Sequence, residues 1–328
     1  MNPFEYRRAK DPASALQDLT ASSKFLAGGT NLIDLMKDGV ETPRTLIDIN
    51  RIGLTAIEEL PDGGLRLGAL ARNSDTANHP LVRERYPLVA RAILSGASPQ
   101  LRNLATNGGN LMQRTRCPYF MDTGFPHCNK RAPGSGCGAL HGFQRYHAIF
   151  GTSEHCIAVH PSDLCVALAA LDATVRVRGI RGERQIPFAD FHRLPGNTAQ
   201  IDTTLRHDEL IEAIDLPRSP YATHSHYLKI RDRSSYEFAL ISVAAALEIE
   251  NGKIRGARIA LGGVAHKPWR LESVERSLAG QTAGPETFRR AGGQAIAGAQ
   301  PRSGNAFKIE MTKRAVARAL DLAARGQA

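Results

Sequence analysis

The sequence predicts an α+β fold, and three observations lead there. Strand-like apolar runs alternate with segments of helical periodicity along the chain. At 328 residues the chain is long enough for two or three domains. Its 42% hydrophobic and 23% charged residues are the profile of an ordinary globular protein.

The elements fall into three blocks, expected as domains. In residues 1–50, Pro12 to Leu19 reads as a short helix, with Asp11 as N-cap and Pro12 at the first helical position. Lys24 to Ala27 is a brief strand, Leu32 to Met36 a helix that Gly39 ends, and Thr45 to Ile49 a strand. In residues 51–217, Leu65 to Ala69 alternates as a strand, and Ser74 to Leu94 is a helical stretch divided by Pro80 and Pro87. Cys117 to Gly142, rich in glycine and proline and poor in periodicity, reads as a long irregular loop, a feature that is usually functional. Ser162 to Leu171 is a helix and Ala173 to Val177 the strand after it. In residues 221–328, Phe238 to Ile249 fits helix or strand and Ile254 to Leu261 a strand. Arg289 to Ala299 and Glu310 to Arg325 read as helices.

Charge and targeting signals narrow the function classes. The formal charge is +10, but the basic residues are scattered in pairs such as Arg83 and Arg85 or Arg289 and Arg290. A nucleic-acid binder concentrates them, so a solvated basic surface is the reading and no nucleic-acid partner is expected. No apolar run reaches the ~20 residues of a membrane span. Arg7, Arg8 and Lys10 are followed by no apolar stretch, so no cleavable secretory signal is expected.

Two glycine loops suggest a bound diphosphate. In Lys24-Phe25-Leu26-Ala27-Gly28-Gly29-Thr30-Asn31-Leu32 a glycine pair lies between a strand and a helix, where free N–H groups suit an anion. Thr106-Asn107-Gly108-Gly109-Asn110 repeats the pair, again flanked by Thr and Asn. Neither is a G-x-G-x-x-G or a P-loop; together they fit two loops gripping one dinucleotide.

All five cysteines lie between Cys117 and Cys165. An odd number in a chain of this size argues against a disulfide framework. Ten residues separate Cys117 from Cys128, eight Cys128 from Cys137 and eighteen Cys137 from Cys156. No C-x-x-C occurs, and spacing alone leaves an iron–sulfur cluster, a structural zinc and free thiols open. Cys165, in the apolar run Leu164 to Leu171, reads as a small buried hydrophobe. The histidines show no metal spacing, and His141, His147 and His155 would substitute poorly for thiolates.

With both glycine loops, Ser162-Asp163, Lys229-Ile230-Arg231-Asp232-Arg233 and Gly262-Gly263-Val264-Ala265, the chain resembles the FAD-binding subunits of the xanthine dehydrogenase family of molybdenum hydroxylases. The cysteine segment makes it most similar to the flavoprotein subunits of bacterial aldehyde oxidoreductases. This resemblance implies two FAD-binding subdomains of the vanillyl-alcohol-oxidase type and a smaller α+β C-terminal domain. It implies that Lys24 to Leu32 with Thr106, Gly108, Gly109 and Asn110 hold the pyrophosphate. Asp163 would bond ribityl or ribose hydroxyls, and Lys229 would lie near the flavin's polar edge; without the resemblance, Asp163 reads as a helix N-cap and Lys229 as a surface strand lysine. Relatives with this insertion carry a [4Fe–4S] cluster, which assigns Cys117, Cys128, Cys137 and Cys156 as ligands. The implied partners are a molybdenum-cofactor subunit and a [2Fe–2S] subunit, in a heterotrimer or a dimer of heterotrimers. Such a complex would be cytoplasmic, or periplasmic by co-export with a signal-bearing partner. The rival readings are a stand-alone flavin oxidoreductase of the same fold and a zinc-stabilised, basic nucleic-acid-binding module.

Overall fold

A computed structural model describes residues 1–326. Three sheets organise it. In the first, β1 (Glu5–Arg8), β2 (Ser23–Leu26) and β3 (Thr45–Asp48) are parallel in the order β1-β3-β2. The crossover between β1 and β2 carries the Pro12–Gln17 helix. Asp11 and Ser14 form a reciprocal capping box there, so the helix starts as expected and stops two residues earlier. The crossover from β2 to β3 carries the Leu32–Lys37 helix, and Gly39 beyond its end has φ +72.

The second sheet is antiparallel. It contains β4 (Ile57–Glu59), β5 (Leu65–Gly68), β6 (Thr174–Gly179), β7 (Gly182–Pro187) and β8 (Glu209–Leu216), in the order β4-β5-β8-β6-β7. Helices Asn73–Asn78, Pro80–Arg85 and Pro87–Ser95 pack with the Asp163–Ala170 helix over one core that includes Leu65, Leu67, Val89, Ile93, Leu164 and Leu168. Pro80 and Pro87 each open a helix, where the missing N–H costs nothing. The Asp163–Ala170 helix is buried at every position, which hides any amphipathic pattern.

The third sheet, β9 (Ser225–Ile230), β10 (Ile241–Glu250), β11 (Lys253–Gly262) and β12 (Trp269–Arg270), is antiparallel in the order β12-β11-β10-β9. The ambiguous stretch before Ile249 is therefore a strand: β10 lies between two partners and is covered by the Phe307–Ala324 helix, so it is apolar on both faces. The helices anticipated from Arg289 and Glu310 begin earlier, at Pro285 and Phe307. Among the described residues no helix is long and apolar enough to cross a membrane.

Candidate functional site

The turn after β2 shows why its glycines are there. A Cβ on Gly28 would lie 2.0 Å from the Leu104 carbonyl oxygen, so residue 28 permits close packing against the chain before Thr106. Gly29 adopts φ +71 and turns the backbone so that Ile33 N–H bonds Gly29 carbonyl at 3.0 Å. The N–H groups of Gly29, Thr30 and Asn31 find no acceptor among the described residues. Asn31 Oδ1 accepts from Arg114 N–H at 2.9 Å, while its buried Nδ2 has no partner. A buried donor left open costs free energy, and an anion at this turn would relieve it.

The second glycine loop is built differently from the expectation. Thr106 is the N-cap of the Asn107–Leu111 helix, its Oγ1 accepting from Gly109 N–H. Gly108 N–H donates to Ala69 carbonyl at 2.7 Å, and a Cβ on Gly108 would meet Ala69 at 3.2 Å. The backbone donors of Gly108 and Gly109 are thus engaged internally, so the second loop is no mirror image of the first. Asn110 is its polar centre: it donates to Asn73 Oδ1 at 2.7 Å and accepts from Gln113 Nε2 at 2.7 Å and Ser162 Oγ at 2.5 Å.

These loops meet where two cavities join. The larger, about 510 Å³, is walled by Lys24, Phe25, Ala27, Gly28, Gly29 and Leu32, and by Thr106 and Gly108. The smaller, about 180 Å³, is walled by Asn110, Asp163, Lys229, Tyr236 and Phe238. Thr30, Asn31, Gly109 and Gln113 border both. Leu26 borders neither. Two chambers joined beside a turn with open N–H groups have room for a dinucleotide whose halves point opposite ways.

Asp163 and Lys229 come together in the smaller chamber. Ser162, not Asp163, caps the Asp163–Ala170 helix, with Oγ accepting from Cys165 N–H. Lys229 donates to Asp163 Oδ2 at 2.8 Å and to Ser95 carbonyl at 3.1 Å, and Tyr227 hydroxyl donates to Asp163 Oδ1 at 2.7 Å. Lys229 is no surface strand lysine: its side chain is only 5% exposed. Sequence reasoning missed Tyr236, Glu237 and Phe238, which follow the Lys229 to Arg233 stretch and close over this chamber. Arg116, beneath them, lies 5.1 Å from the Phe238 ring centre.

Cys117, Cys128, Cys137 and Cys156 line one small enclosed cavity, and none of the five cysteines forms a disulfide. Cys128 and Cys137 face each other across a short antiparallel bridge, fastened by Asn129 N–H to Gly136 carbonyl at 2.7 Å and Gly138 N–H to His127 carbonyl at 2.9 Å. A hydrogen bond from Cys156 holds the Cys137 thiol below its ordinary range, and burial pushes Cys117 up to about 12. Among the described residues no three of the four sulfurs lie within 4.8 Å of one another. A tetrahedral zinc would draw its thiolates to ~3.8 Å, since Zn–S bonds are about 2.3 Å. Four thiols on one cavity match, in number and type, the donor set of a thiolate-bound metal centre.

The histidines, which carried no sequence signal, also gather here. His147 Nε2 is 3.1 Å from Cys117 Sγ, and His266 Nε2 is 3.2 Å from Cys156 Sγ. Burial drives both imidazoles neutral, to about 4 and about 3. Cys165 is fully buried in the core of the second sheet, its sulfur within 4.8 Å of ring nitrogens of His160 and His192. A third cavity is lined both by Cys117 and His147 and by Ser162, Asp163 and Phe238.

Comparison with known proteins agrees with this geometry. Residues 2–219 match the FAD binding domain in molybdopterin dehydrogenase, and residues 226–323 the CO dehydrogenase flavoprotein C-terminal domain. The aldehyde oxidoreductase FAD-binding subunit PaoB of Escherichia coli (strain K12) is 50% identical over 98% of each chain. The glyceraldehyde dehydrogenase medium chain of Sulfolobus acidocaldarius is 28% identical over 85% of this chain and 82% of its own. A solved carbon monoxide dehydrogenase from Hydrogenophaga pseudoflava superposes with a TM-score of 0.77 at 28% identity, covering 99% of both chains. The chain belongs to the FAD-binding subunits of the molybdenum hydroxylase family.

Proposed function

We propose that this chain is the electron-relay subunit of a heteromeric aldehyde oxidoreductase, holding FAD and one [4Fe–4S] cluster on Cys117, Cys128, Cys137 and Cys156. One partner holds the molybdenum cofactor, where the aldehyde becomes a carboxylic acid, and a second holds [2Fe–2S] clusters. The assembly is a heterotrimer or a dimer of heterotrimers, in the cytoplasm or co-exported to the periplasm. The 50% identity to an aldehyde oxidoreductase subunit supports the substrate class. The three sheets support domains at 1–50, 51–217 and 221–328.

FAD, when bound, supplies the exchange between one-electron and two-electron transfer. The open N–H groups of Gly29, Thr30 and Asn31 hold the pyrophosphate, with the Asn31 amide as a further donor. Lys24, Phe25, Ala27 and Leu32 wall one half of the ligand, and Thr106, Gly108, Gly109 and Asn110 fix the opposite wall. Asp163 offers an acceptor to sugar hydroxyls, and Lys229 places a cation where a reduced ring gathers negative charge. No general base for the hydroxylation is needed in this chain.

The observation carrying the relay reading is the shared wall: Cys117 lines both the cysteine cavity and the cavity that reaches Asp163 and Phe238. Metal and sulfide analysis of the co-expressed complex tests it. Cys137→Ser should remove about four irons and four sulfides per copy of this chain. Iron unchanged by that substitution, or zinc in its place, defeats the cluster assignment. Bleaching of FAD by aldehyde in the chain without its partners defeats the relay role.

A further inference from the structure

Each of two cysteines assigned to the cluster has a histidine ring nitrogen at hydrogen-bond distance, and the two rings come from distant parts of the chain. His147 belongs to the segment between Cys137 and Cys156; His266 follows β11 and belongs to the third-sheet region. His147 Nε2 lies 3.1 Å from Cys117 Sγ and His266 Nε2 3.2 Å from Cys156 Sγ. Both rings are buried, and in both the Nδ1 has no partner. That asymmetry fixes the tautomer. A proton on Nδ1 would leave a buried donor without an acceptor, whereas a proton on Nε2 is met by sulfur.

The rings are also held in place. Lys308, fully buried on the Phe307–Ala324 helix, donates to His147 carbonyl at 3.0 Å and to Gly263 carbonyl at 2.7 Å. Asn305 Nδ2 donates to the same His147 carbonyl at 3.3 Å and to Ala148 carbonyl at 3.2 Å. The backbone of His147 and the strand end leading to His266 are thus joined by one buried lysine. Lys130, buried beside them, is paired with Asp202, whose negative charge opposes that of Lys130 at His266.

We infer that His147 and His266 are tuning residues: each donates Nε2–H to a cluster thiolate and so raises the reduction potential of the cluster. The inference rests on the four-cysteine cluster assignment above. Reduction adds negative charge that spreads onto the ligand sulfurs, so an N–H···S bond is stronger in the reduced state, and hydrogen bonds to sulfur are among the groups that set cluster potentials.

The test is a redox titration of the purified complex, followed by the electron paramagnetic resonance signal of this cluster, alongside iron and sulfide analysis. His147→Leu and His266→Leu should keep the iron and each make the cluster about tenfold harder to reduce, ~59 mV for a one-electron couple. His147→Gln retains an N–H donor and should recover most of that shift. Should a leucine variant lose its iron, wild-type complex labelled with [15N]histidine decides: pulsed resonance of the reduced cluster should show weakly coupled histidine nitrogen. An unchanged potential in an iron-replete leucine variant, or no histidine coupling in labelled wild type, overturns the inference alone. A wild-type chain without iron overturns the cluster assignment as well.

Discussion

The Gly28–Asn31 turn and the Cys117–Cys156 segment acquire their shapes by opposite means. The turn is fixed by its flanking strand and helix, by the φ of Gly29 and by packing of Gly28 on Leu104. Its open donors are present before any ligand arrives. The cysteine segment has one four-residue helix, Pro118–Met121, and one 3-10 turn, Gly138–Leu140, just after Cys137. Side chains do most of the fastening. Arg131 donates to the Tyr119, Phe120 and Phe125 carbonyls, and Asn129 Oδ1 accepts from Gly134 and Gly136 N–H at 3.0 Å each. A preorganised turn keeps its form when the ligand leaves. A segment of this kind, whose four thiols face one cavity, would owe part of its order to the cluster proposed above.

The largest expected effect breaks that symmetry directly. Removing the proposed cluster, by Cys137→Ser or by treatment with an iron chelator, should open residues 117–142 to proteases while the rest of the chain stays folded and keeps FAD. Limited proteolysis with mass mapping, beside flavin absorbance, reads both. Cleavage rates unchanged by iron removal would mean that Arg131 and Asn129 suffice and the two regions do not differ as argued.

A smaller effect separates the ligand-ready chamber from the ligand itself. Lys229→Met leaves Asp163 as a buried carboxylate with only the Tyr227 hydroxyl, because Lys229 and Asp163 are 5% and 8% exposed in the pair. Breaking such a pair costs about 3–5 kcal/mol, and replacing both partners costs much less. Denaturant unfolding of FAD-free protein should therefore show a large loss in Lys229→Met and partial recovery in Lys229→Met with Asp163→Asn. A double variant as unstable as the single one would show that the pair is not the source of the loss.

The two regions also differ in how much of each can be read from sequence. The glycine turn is legible because strand, Gly-Gly and helix start are contiguous. What it packs against is not, since the Leu104 carbonyl is remote in the chain and nothing local announces it. The cysteines are legible as a group because thiols are scarce and clustered. Their histidines are not: His266 stands 110 positions from Cys156 and is brought there by the register of the third sheet. The irregular backbone of residues 117–142 is likewise visible only as missing periodicity. The fully buried β10 was ambiguous because burial on both faces erases the alternation that marks a strand.

The smallest effect tests whether the second glycine loop shares the preorganised character of the first. Thr106 is 1% exposed, and its Oγ1 accepts from Gly109 N–H at 3.2 Å at the start of the Asn107–Leu111 helix. Thr106→Ala removes that cap and frees Gly109 N–H, which borders both chambers. Losing an N-cap costs about 1 kcal/mol. If the loop is a rigid wall set by the fold, that cost should appear in the stability of the FAD-free protein, with FAD affinity falling no more than about fivefold. The freed Gly109 donor would even offer the pyrophosphate one more hydrogen bond and offset part of the loss. Urea titration of FAD-free protein and equilibrium FAD titration of the same preparation separate the two terms. Loss of FAD affinity far beyond fivefold, with stability unchanged, would instead make Thr106 Oγ1 a direct ligand contact, and the second loop would then grip the ligand as the first does.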